Sequence, residues 1–293
     1  LLRFDQVAVR KEELGVVQGR TIQFLRYNAL TGSATLTENV DMTVTNLSAS
    51  EIQITVAEFG FAVAVSELLL RSSFDDVMSR AARQLGRHYA TTQDGQFRDV
   101  LLGSSNVLYA GNKTRTTLTA ADTFDTRLIK DAVELLSTNK TPRIGDAYVC
   151  YIHPHQGRTL RDDPAWINAK NYAAPEEILR GEVGRFENVR FIETTQTPWI
   201  LASGRVVSGG ADAGSVFVDG ADSGVNRSTY NATTNVYQAI IVGDHALGHA
   251  VSYEVEMRDN GVQDFGRKHH LAWYGIYGQD FIEDGHAVVL ETA

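Results

Sequence analysis

The 293 residues of this chain predict an α+β fold. Three observations carry that prediction. Apolar residues alternate with period two over residues 21–27 and again over 52–65. A run at helical spacing follows, from Phe74 toward Leu102. Five more strand-like apolar segments then lie scattered among helical and glycine-rich stretches, the pattern of separated strands and helices rather than of regular βα units.

Taken in order, residues 1–20 show no strong period and read as an irregular arm. The stretch 21–27 alternates around Ile22 and Phe24, and 52–56 around Ile52, Ile54 and Val56. A polar Thr/Ser/Asn-rich segment, 31–50, separates them, so the two make an extended β-hairpin with a polar tip. Phe59, Phe61, Val63 and Val65 form a third alternating run after Gly60. Ser73 is a candidate helix N-cap, followed by Asp75 and Asp76 in the first turn. Phe74, Val77, Met78, Ala81, Leu85 and Tyr89 then recur at steps of one face. Carried to Leu102, that helix is about 45 Å long; Gly86 and Gly95 weaken it and predict a bend or break near Gly95. A second amphipathic helix covers 125–138, ended by Pro142 and Gly145. Residues 147–152 are a short, wholly apolar strand, expected in the middle of a sheet, and 176–179 a short helix after Pro175. Strands are expected at 189–193, 236–242, 251–257 and 287–290, with Gly181-Glu182-Val183-Gly184 as a turn feeding the first. Residues 203–235 are rich in Gly, Ser and Asp and contain a near-repeat, Gly210-Ala211-Asp212-Ala213-Gly214 and Gly220-Ala221-Asp222-Ser223-Gly224. They read as a surface loop or insertion; the aspartate spacing matches no EF-hand calcium loop.

Composition is that of an ordinary globular protein able to bury a sizeable core, with 43% apolar and 22% charged residues. The net charge of −9 argues against a surface devoted to gripping phosphates, though it leaves room for a small basic patch on one face. The single cysteine, Cys150, excludes an intrachain disulfide and sits in the apolar run 147–152, where burial as a small hydrophobe is expected. No run of 18 apolar residues spans a membrane, and neither a signal peptide nor an initiator Met opens the chain, which is expected to be a trimmed or partly ordered version of a longer product.

Catalytic chemistry finds little support. His153-Pro154-His155 would set two imidazoles on one side of an extended segment, and His245 and His249 would share a helix face, but neither pair has the Glu of a His-Glu-x-x-His zinc site. His269 and His270 point opposite ways on a strand. Asp162-Asp163 and Glu176-Glu177, each beside a proline, read as turn or helix-start carboxylates rather than an acid/base pair. There is no Gly-x-Ser-x-Gly elbow, phosphate-binding loop or dinucleotide fingerprint. No catalytic, cofactor-binding or metal residue is therefore assigned. An extended arm leading into a long helix leaves surface that neighbours must cover, so the chain reads as a building block completed by copies of itself.

That order of features resembles the major capsid proteins of tailed bacteriophages, which share the Hong Kong 97 fold, and most closely a podophage-type branch. The resemblance rests on Leu36-Thr37-Glu38, on Glu58-Phe59-Gly60 leading to Val65-Ser66-Glu67, and on Ile152-His153-Pro154. Its most specific part is the run Gly181-Glu182-Val183-Gly184-Arg185-Phe186-Glu187-Asn188-Val189-Arg190-Phe191-Ile192-Glu193. It implies an N-terminal arm over 1–19, an extended loop over 20–65, and a peripheral domain with the spine helix over 66–146. An apical domain over 147–248, carrying the insertion 203–235, and a return to the peripheral domain over 249–293 complete it. It implies a non-enzymatic subunit of hexamers and pentamers, closing an icosahedral shell around double-stranded DNA in a virion assembled in the bacterial cytoplasm. Scaffolding, portal and decoration proteins, and non-specific contact with packaged DNA, are the implied partners; cofactors and membranes are not. The lysines are Lys11, Lys113, Lys130, Lys140, Lys170 and Lys268, so residues 20–65 cannot supply the loop lysine with which the type member cross-links its shell. An encapsulin-type nanocompartment shell is the nearest alternative, and a metal enzyme built on His153, His155, His245 and His249 the more distant one.

Overall fold

The computed structural model describes residues 4–12, 21–27, 35, 38, 41–42, 44, 46–166, 182–200, 206–207, 216–217 and 234–293. A 3₁₀ turn, Phe4–Val7, leads into β1 (Ala8–Glu12), and β2 (Thr21–Tyr27) pairs antiparallel with β3 (Ala49–Thr55). Opposed pairs Ile22↔Ile54 and Phe24↔Ile52 give this hairpin one apolar face, and Ile22, Phe24 and Ile54 are buried near Ala250. A slip of one residue would turn that face outward. After the buried Val56 the third alternating run becomes β4 (Ala57–Ser66), which leaves the hairpin and joins a different sheet.

Two helices follow rather than one. Ser66 caps α1 (Glu67–Ser72) through its hydroxyl, which accepts from Leu69 N–H at 3.3 Å. Ser73 closes α1 by donating its N–H to Leu69 O, and the N-cap of α2 (Val77–Leu102) is Asp76. The expected cap at Ser73 is thus displaced by three residues, because Ser66 has already opened a helical turn upstream. Phe74 falls on the connecting turn in full solvent rather than on the stripe. At 26 residues α2 is about 39 Å long and runs unbroken through Gly86 and Gly95. Tertiary contacts override the two glycines: Gln93, Asp94, Phe97 and Arg98 flank Gly95 and are all buried.

Beyond α2 come β5 (Val107–Tyr109), α3 (Thr126–Thr138), β6 (Tyr148–Ile152), α4 (Pro154–Asp162), β7 (Glu182–Phe186) and β8 (Val189–Glu193). The short β9 (Trp199–Ile200), β10 (Val206–Val207) and β11 (Val216–Phe217) precede β12 (Val236–Val242). The chain ends with β13 (Leu247–Gln263), β14 (Lys268–Phe281) and β15 (Ala287–Thr292). Nine strands form one sheet, in which β12 pairs with β15, β6 and β9, and β6 also pairs parallel with β8. Every residue of β6 is buried, as its apolar run predicts for a strand covered on both faces. Tyr148, Cys150 and Ile152 face the cluster under α3, whereas Val149 and Tyr151 face the cluster formed by Phe4 and the C-terminal turns of α2. The span of α3 also follows the sequence, and Asp125 caps it by accepting from Leu128 N–H at 2.9 Å.

A second sheet has the order β1-β13-β14-β4 and lies under α2. Three of its features depart from the sequence reading. The arm is not wholly irregular, since β1 pairs parallel with Leu247–Val251 of β13. The strand expected at 251–257 is the middle of a 17-residue strand. Its partner β14 has no counterpart in the reading, because Gly275 and Gly278 interrupt its alternation. Those glycines answer a packing demand: a Cβ on Gly278 would lie 2.3 Å from the Thr55 carbonyl oxygen, where the end of β3 crosses the sheet. Finally, Glu182–Gly184 are not the turn before β8. Residues 182–186 are a strand, and the hairpin turns at Glu187-Asn188, whose φ values of 46° and 61° are those of a two-residue I′ turn. The helix expected at 176–179, the near-repeat at 210–214 and 220–224, and most of the stretch 203–235 around it lie outside the described residues.

Candidate assembly surfaces

The nine-stranded half is closed chemically as well as sterically. Glu291 on β15 is fully buried and accepts Arg115 Nε at 2.7 Å and the same guanidinium's second nitrogen, together with Gln238 Nε2 at 2.8 Å. Three donors on one buried carboxylate compensate its desolvation. Cys150 is fully buried, and burial alone pushes its thiol well above its ordinary range. Asp163 serves the turn expected of it. Burial pushes its carboxyl up, but donors from Thr126, Ala165 and Trp166 outweigh that and hold it below the usual range.

The histidines do not gather. His153 is the N-cap of α4, its Nδ1 accepting His155 N–H at 3.2 Å while Gln156 Oε1 accepts His153 N–H at 3.1 Å. His155 stacks on Tyr237 with ring centroids 4.3 Å apart, and Trp199 also stacks on Tyr237, at 5.7 Å. Burial, with the neighbouring His155, lowers His153 to about 4. His245 and His249 share no helix. His245 sits in the turn between β12 and β13 at φ 58°, beside Asp244, whereas His249 is buried on β13. Gly243 and Gly248, each pressed against neighbouring atoms, mark tight backbone packing in place of the expected helix. Among the described residues no three His, Cys, Asp or Glu side chains gather as a metal site, so the geometry does not bring His153, His155, His245 and His249 into one centre.

His249 has a structural task that the sequence did not reveal. Its ring meets Phe97 edge-on at 5.0 Å and its Nδ1 lies 3.7 Å from Asp5 Oδ1. Phe4 N–H donates to Asp94 Oδ1 at 2.9 Å, and Arg10 pairs with Glu254. Together these seat the N-terminal segment on α2 and β13, around a cavity of about 90 Å³.

The open half is different. Every large apolar side chain left exposed among the described residues lies on or near the β2–β3 hairpin, on α1 and its following turn, or on β4 and the β13–β14 hairpin. Among the described residues none lies between 75 and 252. The first group comprises Leu25, Tyr27, Met42, Val44 and Leu47, with Val44 86% exposed. Leu68 (78% exposed), Leu69 and Phe74 make the second, and Phe61, Tyr253, Met257, Val262 and Phe265 the third. At the tip of the β13–β14 hairpin Asp264, Phe265 and Gly266 all have φ near or above 50°, and the Phe265 ring is fully exposed. Apolar surface concentrated in this way marks an interaction surface rather than the scatter of a monomer. Gly266 is the turn signal that would have located this hairpin in the sequence, whereas Asn260-Gly261 falls at a register shift within β13.

A sheet-borne hairpin, a long helix laid over a second sheet, and a closed nine-stranded unit together define the class: the subunit fold of tailed-phage shells. The chain matches the capsid structure of cyanophage P-SCSP1u with a TM-score of 0.72 at 15% identity, covering 100% of this chain and 88% of that one. It matches the capsid of Ralstonia phage GP4 at 0.71 and 17%, covering 98% and 87%, and the acid-stable capsid of Helicobacter pylori bacteriophage KHP30 at 0.71 and 14%, covering 99% and 90%. A family model described as phage capsid protein matches residues 49–246. The chain belongs to the phage capsid protein family and is a shell protein of a bacteriophage virion. No curated protein matches the sequence.

Proposed function

We propose that this chain, as the major capsid protein, assembles into hexamers and pentamers that close an icosahedral shell around double-stranded DNA. The observation that carries the proposal is the confinement of exposed apolar side chains to the hairpin, α1 and the distal end of the four-stranded sheet. Burying such side chains against copies of the chain offsets the entropy lost in ordering the extended arms. Residues 1–19 act as the arm, 20–65 as the extended loop, and 66–146 with 249–293 as the peripheral domain. The segment 147–248, with the insertion 203–235, is the apical domain. The pairing of β4 with β14 supports an extended loop whose last residues, 57–65, are anchored in the four-stranded sheet.

The subunit's work is assembly and not catalysis, and its shell is held without the loop lysine cross-link. Scaffolding, portal and decoration proteins join it in the bacterial cytoplasm. Size-exclusion chromatography with negative-stain electron microscopy of the purified chain, alone and with its scaffold, tests this. Closed shells or capsomers are expected. A monomer that persists under both conditions contradicts the proposal, and an intersubunit isopeptide bond from residues 20–65 in mass spectra contradicts the non-covalent shell.

A further inference from the structure

The exposed face of the N-terminal half of α2 carries charge of one sign. Between Asp76 and Asp94 the helix has Arg80, Arg83 and Arg87 and no acidic residue, in a chain of net charge −9. At steps of three and four these arginines form one ladder, opposite the stripe of Met78, Ala81, Leu85 and Tyr89 packed against the sheet. The ladder ends where cover begins, since Asp94 and Arg98 on the same side are buried.

Clustering sets it apart more than pairing does, since exposed Arg127, Arg143 and Arg158 also have no acidic partner among the described residues but lie on separate parts of the chain. Arg10, Arg26, Arg71, Arg161, Arg185 and Arg258 each hold an acidic side chain. Arg80 holds Asp75 at 2.9 Å. Arg83 and Arg87 are exposed and have no ion-pair partner among the described residues. Like charges four apart on a helix repel, so this arrangement weakens α2 unless an anion lies on it.

We infer that the Arg80–Arg83–Arg87 face is the subunit's contact with the phosphate backbone of the packaged DNA. The inference rests on the shell reading above and adds to it the residues that touch the contents. The face suits a hydrated polyanion better than a neighbouring subunit. Its other exposed residues are Ser79, Gln84, Gly86 and Thr91, with no aliphatic side chain among them, whereas the centre of a protein interface is apolar. Arginine also matches phosphate with a bidentate fork. From Arg80 to Arg87 the ladder advances about 10 Å, about three phosphate steps of one strand at 3.4 Å each. Contacts this few are weak per copy and collectively sufficient over a closed shell.

Arginine-specific labelling with phenylglyoxal, read by mass spectrometry, tests the assignment on capsomers, emptied shells and DNA-filled particles. Loss of Arg83 and Arg87 labelling only in filled particles is the expected result. Loss already in emptied shells would assign the face to a neighbouring subunit and overturn the inference, as would full labelling in all three. Failure to form particles would count against the shell reading instead. Particles carrying Arg83→Gln with Arg87→Gln should still assemble, because both side chains are exposed, and should release DNA at lower salt than the parent. Unchanged release would contradict the contact.

Discussion

Strand β13 passes through both halves of the molecule, and its two ends live under different rules. Leu247–Val251 are buried by β1, β14 and the seam beneath α2, whereas from Ser252 to Gln263 no residue is buried. The change falls at a register shift between Val251 and Tyr253, where a bulge re-aims the strand. The apolar alternation does not stop there; only the cover does. Its first part finishes a core that one chain can close, and its second part presents Tyr253, Met257 and Val262 to surroundings the chain does not supply.

Substitutions should separate the two halves, and the largest effect belongs to the closed one. Glu291→Ala leaves Arg115 without its buried partner and should cost about 3–5 kcal/mol of subunit stability by denaturant unfolding. At the junction, Gly278→Val forces a side chain against the Thr55 carbonyl. A cost of about 1–3 kcal/mol is expected, with faster hydrogen exchange in β2 and β3 than in β6. Acid should act on α4. Because folding lowers His153 from 6.5 to about 4, the unfolded chain takes up the proton first, and stability is lost as pH falls through that window. His153→Asn keeps a capping side chain and should flatten the melting temperature between those limits. At the open end, Leu68→Ser with Phe265→Ser should change subunit stability by no more than about 0.5 kcal/mol each while abolishing assembly seen by electron microscopy. Smallest of all is Tyr277→Phe: the buried hydroxyl has no hydrogen-bond partner among the described residues, so its removal should leave the unfolding midpoint unchanged or slightly raised.

The sequence showed what depends on local pattern. The apolar run of β6 and the stripes of α2 and α3 are properties of neighbouring residues, and each is where the pattern put it. Long-range demands were illegible. The glycines that hide β14 exist because Val255 and Thr55 approach its backbone from other elements. Glu187 and Asn188 turn a hairpin without glycine, so the glycines before them drew the turn too early. His249 looked like a helix neighbour of His245 because spacing alone cannot see that Asp5 and Phe97 close over it. Nor can alternation tell whether an apolar residue is covered by its own chain or by another. For Val65 the cover is internal; for Phe61, four residues earlier, half the side chain stays exposed.

Hydrogen exchange compared between isolated subunits and assembled shells tests the division most directly. The account predicts new protection in β2, β3, α1 and residues 252–275, with β6, β12 and β15 equally protected in both states. Protection gained chiefly in the nine-stranded sheet, or nowhere, would contradict it.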